Sequence, residues 1–110
     1  MSFQVSKVND VTVIEVEGQL IVGNRNELKN KVLEEIELGE QTFVIDFANT
    51  AYIDSSGLGV LVSLSKNIRE HGGELRLSSL SEDLRTLFEL TKLDTLFQIA
   101  EDKERALEGF

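Results

Sequence analysis

A chain of 110 residues has room for one compact domain with a single core, so we expect one domain spanning residues 1–110. Twenty acidic residues against 11 Lys and Arg give a net charge of −9, which disfavours binding to nucleic acids and to anionic membrane surfaces. The sequence contains no cysteine and no signal-peptide pattern, which excludes disulfides and thiolate chemistry and favours a cytoplasmic protein.

The chain opens with a pattern that predicts a β-hairpin followed by a helix. Two β-rich segments, residues 3–8 and 11–17, flank a turn-forming Asn-Asp pair and predict the hairpin. Asn24, with Glu27 in the matching position, is predicted to cap the first helix through a capping box. Gly39 suits the end of that helix, since glycine readily adopts the left-handed conformation common there.

The rest of the chain alternates between strand and helix patterns. Residues 42–47 are predicted as a strand, and the apolar run Phe43-Val44-Ile45 within it is typical of a strand covered on both faces. In chain order, the later elements are predicted as a helix over about 57–70, a strand around 75–77, a helix capped by Ser81, a strand over 96–100 and a helix over 102–108. Parallel strands need crossover connections, and each helix has one wide apolar stripe. The order therefore predicts an α/β fold with a mixed central β-sheet and about four helices packed mainly on one face.

Polar side chains and two glycines stand together in residues 54–59, where a loop leads into the second predicted helix. The backbone N–H groups and the dipole of a helix N-terminus stabilise an anion, so a phosphate on Ser55 or Ser56 would be accommodated there. A phosphoserine adds about −1.5 to −2 charges, enough to reverse binding at a surface that suits the neutral hydroxyl. Alternatively, Asp54 or Ser55 only caps the helix, and the glycines leave room for tight packing.

The sequence does not match the patterns of nucleotide-binding, hydrolytic or metal sites. The glycines fit neither a dinucleotide fingerprint nor a P-loop. The single histidine, His71, would lie about 24 Å from Ser55 along the same helix at roughly 1.5 Å per residue, which excludes a serine-hydrolase pair. The acidic residues of the first helix are typical of a solvated face, and no metal-ligand spacing is found. We therefore expect neither an enzyme nor a metal site.

The segment that begins the second predicted helix resembles the phosphorylation-site motif of the STAS domain family, and of the bacterial single-domain anti-sigma factor antagonists within it. It reads Tyr52-Ile53-Asp54-Ser55-Ser56-Gly57-Leu58-Gly59. The resemblance covers nearly the whole chain and continues through Gly18-Gln19-Leu20, Val44-Ile45-Asp46-Phe47, Gly72-Gly73-Glu74-Leu75 and Leu87-Phe88-Glu89-Leu90-Thr91-Lys92-Leu93. It implies a STAS-like fold.

The resemblance also implies a mode of action and a set of site residues. An unphosphorylated antagonist binds an anti-sigma factor that is also a serine kinase and so frees a sigma factor; phosphorylation reverses this, and a PP2C-type phosphatase resets the cycle. The protein itself needs no cofactor. Ser55 is the implied phosphoacceptor, with Ser56 as second choice. The residues expected to shape the site or contact the partner are Asp54, Ser56, Gly57, Leu58, Gly59, Ile21, Gly23 and Asn24.

One position departs from the family pattern. Many members have an aspartate where this chain has Ile21, so a carboxylate that could hydrogen-bond the site is missing. The alternative function is a constitutive STAS scaffold or adaptor, in a signalling or lipid-transport assembly, whose affinity is indifferent to Ser55→Asp. If the antagonist interpretation holds, the contact surface combines Ser55, the start of the second helix and the loop at 18–24, and Leu58→Lys weakens binding.

Overall fold

The computed structural model describes residues 3–110, and within them apolar and β-branched segments pair into a mixed sheet of five strands. The strands, in chain order, are β1 (Phe3–Val8), β2 (Val11–Val16), β3 (Gly18–Leu20), β4 (Thr42–Asp46), β5 (Thr50–Ile53), β6 (Glu74–Ser78) and β7 (Gln98–Ala100). The main sheet has the order β1-β2-β4-β6-β7. Its first two strands form the predicted antiparallel hairpin, and all other neighbours are parallel.

Four α-helices in the described part of the chain cover this sheet unequally. They are α1 (Arg25–Glu37), α2 (Ser55–Glu70), α3 (Glu82–Leu90) and α4 (Lys103–Leu107). Successive side chains of a strand point to opposite faces, so Ile14 and Val13 lie on different sides of the sheet. Ile14 belongs to the main core with α1, α2 and α3, whereas Val13 packs with Ala106 of α4. The prediction of about four helices, mainly on one face, is confirmed.

Two short strands that the sequence did not predict form a separate parallel pair. β3 and β5 place Gln19 beside Tyr52 and Leu20 beside Ile53, with a shift of register at Gly18. They are only 3 and 4 residues long and half of their residues or more are exposed, so they lack the extended apolar alternation that reveals a strand. Their pairing sets the loop after β3 beside the start of α2.

The helix ends confirm two predicted signals and correct a third. Asn24 occupies the N-cap position of α1, but its side chain makes no capping hydrogen bond. Its amide oxygen instead accepts a hydrogen bond from the backbone N–H of Ile21 at 2.9 Å, so the predicted capping box is wrong and Asn24 orders the loop before the helix. Gly39, with φ of +95°, follows the end of α1 as predicted. Ser81 caps α3 with its side chain, also as predicted.

Candidate functional site

One carboxyl group joins the N-terminus of α2 to the loop after β3. β5 ends at Ile53, and Asp54 follows as the extended N-cap residue of α2. One Asp54 oxygen accepts a hydrogen bond from the backbone N–H of Gly57 at 2.8 Å, and the other accepts from the backbone N–H of Val22 at 3.1 Å. Asp54 therefore caps the helix, as one interpretation of the sequence required, and also fixes the neighbouring loop.

The hydroxyl groups of the two serines in this turn are free of hydrogen bonds within residues 3–110. Ser55 is the first residue of α2 and is exposed, whereas Ser56 is half-buried. Neither hydroxyl makes a hydrogen bond to another group of residues 3–110, because Asp54 provides the cap. The adjacent helix N-terminus favours an anion. Either serine can therefore carry a phosphoryl group without losing an internal contact, and Ser55 is the more accessible.

The two glycines of the motif differ in their surroundings. A Cβ at Gly57 would lie 2.4 Å from the carbonyl oxygen of Leu20 and 2.9 Å from Cγ2 of Ile53, so only glycine lets α2 begin this close to β3. A Cβ at Gly59 would meet no atom within 4 Å. The interpretation that the glycines leave room for packing is therefore right for Gly57 and wrong for Gly59.

The remaining predicted site residues divide into buried and accessible ones. Leu58 belongs to the core, with only 7% of its surface exposed, while Ile21 and Asn24 are half-buried. Gly23 is exposed, and a Cβ there would contact only Cδ1 of Ile21, at 3.9 Å. Leu58 can shape the site only from within. The expectation that Leu58→Lys would probe a partner surface is therefore wrong, because the lysine would place a charge in the core.

A groove opens beside the serines, between β5 and α3. It has a volume of about 380 Å³, and its lining includes Tyr52 and Leu84 together with Asp54 and Asp83. Tyr52 is 56% exposed. Sequence reasoning missed this groove because its two walls are far apart in the chain. The signal that could have found it is Tyr52, the single aromatic residue of the motif.

The described residues offer little else that could take part in catalysis. His71 follows the far end of α2, where Nδ1 of its ring lies 2.8 Å from the carbonyl oxygen of Asn67, so it is remote from Ser55. Among residues 3–110, no group of three or more His, Asp or Glu side chains is arranged to hold a metal ion. No helix in this range is both long and apolar enough to cross a membrane. The site presents an exposed hydroxyl at a helix N-terminus.

Comparisons with known proteins find one family along nearly the whole chain. The family model named STAS domain matches residues 2–106. The anti-sigma-B factor antagonist of Bacillus subtilis is 33% identical over 96 residues, which cover 87% of this chain and 86% of that protein. A sequence identity of this size over most of both chains indicates membership of one family.

Solved structures agree with this result. A Thermotoga maritima protein described as an anti-sigma factor antagonist has a TM-score of 0.90 and 29% identity, over 96% of this chain and 92% of that chain. SpoIIAA of Bacillus gives TM-scores of 0.74 in its unphosphorylated form and 0.76 in its phosphorylated form, over 94% and 96% of this chain and 91% and 96% of the two SpoIIAA chains. At 22% and 23% identity, SpoIIAA supports the fold alone. The chain therefore belongs to the STAS domain family and groups with its anti-sigma factor antagonists.

Proposed function

We propose that this protein is a cytoplasmic anti-sigma factor antagonist that is switched by phosphorylation of Ser55. In its unphosphorylated form it binds an anti-sigma factor with serine kinase activity, and the sigma factor is released. The observation that carries this proposal is the exposed and uncommitted hydroxyl of Ser55, held at the start of α2 by the cap that Asp54 provides. The relatives named as anti-sigma-B factor antagonists support the same partner class.

The switching step is a phosphoryl transfer in which this chain is the substrate and not the catalyst. The Ser55 oxygen forms a bond to the γ-phosphorus of ATP, the bond to the leaving ADP breaks, and the hydroxyl proton passes to a base of the kinase or to water. A PP2C-type phosphatase reverses the modification by hydrolysis. Because the transfer chemistry belongs to these two enzymes, the chain itself needs neither a cofactor nor a catalytic base.

Phosphorylation changes the surface charge without removing an internal contact. The phosphate adds about −1.5 to −2 charges beside the carboxyl group of Asp54 and near the groove that Asp83 also lines. The N-terminal N–H groups of α2 stabilise the added anion. The folded state therefore tolerates the modification, while a partner surface that matched a neutral hydroxyl now meets this added negative charge.

The loop after β3 does not need the missing aspartate in order to be fixed beside Ser55. Ile21 donates its backbone N–H to Asn24, and Val22 donates its backbone N–H to Asp54. Two side chains of this protein thus order the loop around Ile21. The departure at this position concerns the contact made with the partner, and it gives no reason to prefer a constitutive adaptor.

A binding experiment with matched charge variants tests this proposal. The affinity of the anti-sigma factor from the same organism is measured by calorimetry for the wild type, Ser55→Asp and Ser6→Asp. Ser6 is exposed on β1, so its variant adds the same charge on a different element. We expect Ser55→Asp to weaken binding by about tenfold or more, which corresponds to about 1.4 kcal/mol, and Ser6→Asp to change it by less than about twofold. Equal affinity for all three proteins would contradict the switch and favour the adaptor.

A further inference from the structure

Gly59 lies in the interior of α2 without a structural reason within the described residues. Glycine lowers the stability of a helix relative to alanine, because it loses more conformational freedom on folding. Its backbone is not in the left-handed region, and a Cβ would meet no atom within 4 Å. Gly57 differs in this respect, since a Cβ there would collide with Leu20. A destabilising residue that the fold does not require indicates a role outside the fold.

Gly59 lines a groove between α1 and α2 that carries an unusual charge. The groove has a volume of about 200 Å³, and its lining consists of Arg25, Asn26, Lys29, Gly59, Val60 and Ser63. None of these is acidic, although the chain as a whole carries a net charge of −9. Neither Arg25 nor Lys29 takes part in a salt bridge within residues 3–110. The groove therefore offers two cations to an external group.

The groove lies close to the proposed phosphorylation site along α2. Gly59 follows Ser55 by four residues, about 6 Å along the helix axis, and residues at this spacing share a helix face. Both residues are exposed. A protein that covers Ser55 on this face of α2 also reaches Gly59.

We propose that the groove between α1 and α2 receives a carboxylate side chain of the anti-sigma factor. This inference rests on the proposed function and extends it by naming a contact. Arg25 and Lys29 supply the positive charge, Ser63 and Asn26 supply hydrogen-bonding groups, and the missing side chain at Gly59 lets the carboxylate approach the helix. A carboxylate is the group that fits, since it complements both cations and is available on a protein partner.

The same geometry links binding to the switch. A phosphate on Ser55 places about −1.5 to −2 charges one turn away from the docked carboxylate, so the two anions repel each other. Phosphorylation would then weaken the complex by electrostatic repulsion on a single helix face. No change in the fold of the antagonist is needed.

Variants of the groove test this inference, with the unphosphorylated full chain and the anti-sigma factor as probe. Lys29→Glu is compared with Lys92→Glu, which changes the net charge equally at an exposed position after α3, outside the groove. We expect Lys29→Glu to weaken binding by about tenfold or more and Lys92→Glu by less than about twofold. Equal effects of the two variants would overturn the proposed contact.

Gly59→Ala separates this role from a structural one. Because alanine favours the helix and has space, the melting temperature should rise by about 4 °C, while the affinity for the anti-sigma factor falls by about tenfold. A lower melting temperature, or unchanged affinity, would overturn the inference. If the wild type binds and is phosphorylated but all groove variants bind equally well, only this contact is refuted. If the wild type does not bind, the proposed function is refuted as well.

Discussion

Two aspartates of this STAS domain lie at the carboxyl end of a strand and near two serines, yet their oxygens accept hydrogen bonds from different groups. Asp46, at the end of β4, is only 4% exposed. One of its oxygens accepts hydrogen bonds from the hydroxyls of Ser78 at 2.7 Å and Ser79 at 2.6 Å, and the other accepts from the backbone N–H of Ala48 at 3.2 Å. These hydrogen bonds join the ends of β4 and β6, so both serine hydroxyls take part in stabilising the fold.

Asp54 accepts its hydrogen bonds from backbone N–H groups, one in α2 and one in the loop after β3. The hydroxyls of Ser55 and Ser56 therefore stay without partners within residues 3–110. The difference teaches that an Asp-Ser neighbourhood in sequence does not by itself make a modification site. What matters is whether the carboxyl group engages the backbone or the hydroxyls.

The largest effect is expected from Asp46→Ala, which removes the acceptor from the buried serine pair. Three donors then lose their partner in a site with little access to water, so we expect the free energy of unfolding to fall by roughly 3 kcal/mol. Urea denaturation measures this loss. Asp46→Asn is the matched control: its amide oxygen can still accept from the hydroxyls, so it should lose less. Unchanged stability of Asp46→Ala would show that the two aspartates do not differ as described.

A smaller loss of stability is expected from Asp54→Ala, because the carboxyl group of Asp54 is closer to solvent than that of Asp46. Loss of an N-cap side chain costs about 1 kcal/mol, up to about 2. Hydrogen exchange adds a local readout, since the amides of Gly57 and Val22 should both exchange faster. Asp102→Ala, which removes the cap of α4, serves as the control and should leave these two amides unchanged. Unaltered protection at Val22 in Asp54→Ala would contradict the link between the helix and the loop.

The smallest effect is expected from Ser55→Ala, since its hydroxyl makes no internal hydrogen bond. The free energy of unfolding should change by less than about 0.5 kcal/mol. Ser78→Ala removes a fully buried hydroxyl that donates a hydrogen bond to Asp46, and this loss should cost about 1 kcal/mol. Chemical denaturation of the two variants side by side makes the comparison. Equal losses of stability in the two variants would mean that the Ser55 hydroxyl stabilises the fold and is not free to accept a phosphate.

The sequence predicted those helices and strands whose own residues show a clear apolar pattern or a cap. The hairpin, the four helices and the parallel strands of the main sheet show apolar periodicity or caps such as Ser81, and these predictions were confirmed. β3 and β5 were missed because they are short and depend on each other across a long stretch of chain. The role of Asn24 was misjudged for a related reason: its side chain has a choice of nearby backbone donors, and only the folded loop decides between them.

The site was predictable in its position and less so in its details. A helix start that follows Asp54 could be read from residue types, and so could its capacity for a phosphate. That Gly59 lacks a packing role depends on which elements lie beside α2. The cationic groove was also missed, since Arg25 and Lys29 meet α2 only through the packing of two helices.

The most direct test of the account is the mass of the intact protein after incubation with ATP and the anti-sigma kinase of the same organism. Wild type, Ser55→Ala, Ser56→Ala and Ser78→Ala are compared. We predict a single added phosphate in every protein except Ser55→Ala, because Ser55 carries the exposed and uncommitted hydroxyl. Loss of the phosphate only in Ser56→Ala, or a stable complex without any modification of the wild type, would contradict the assignment of Ser55 as the switch.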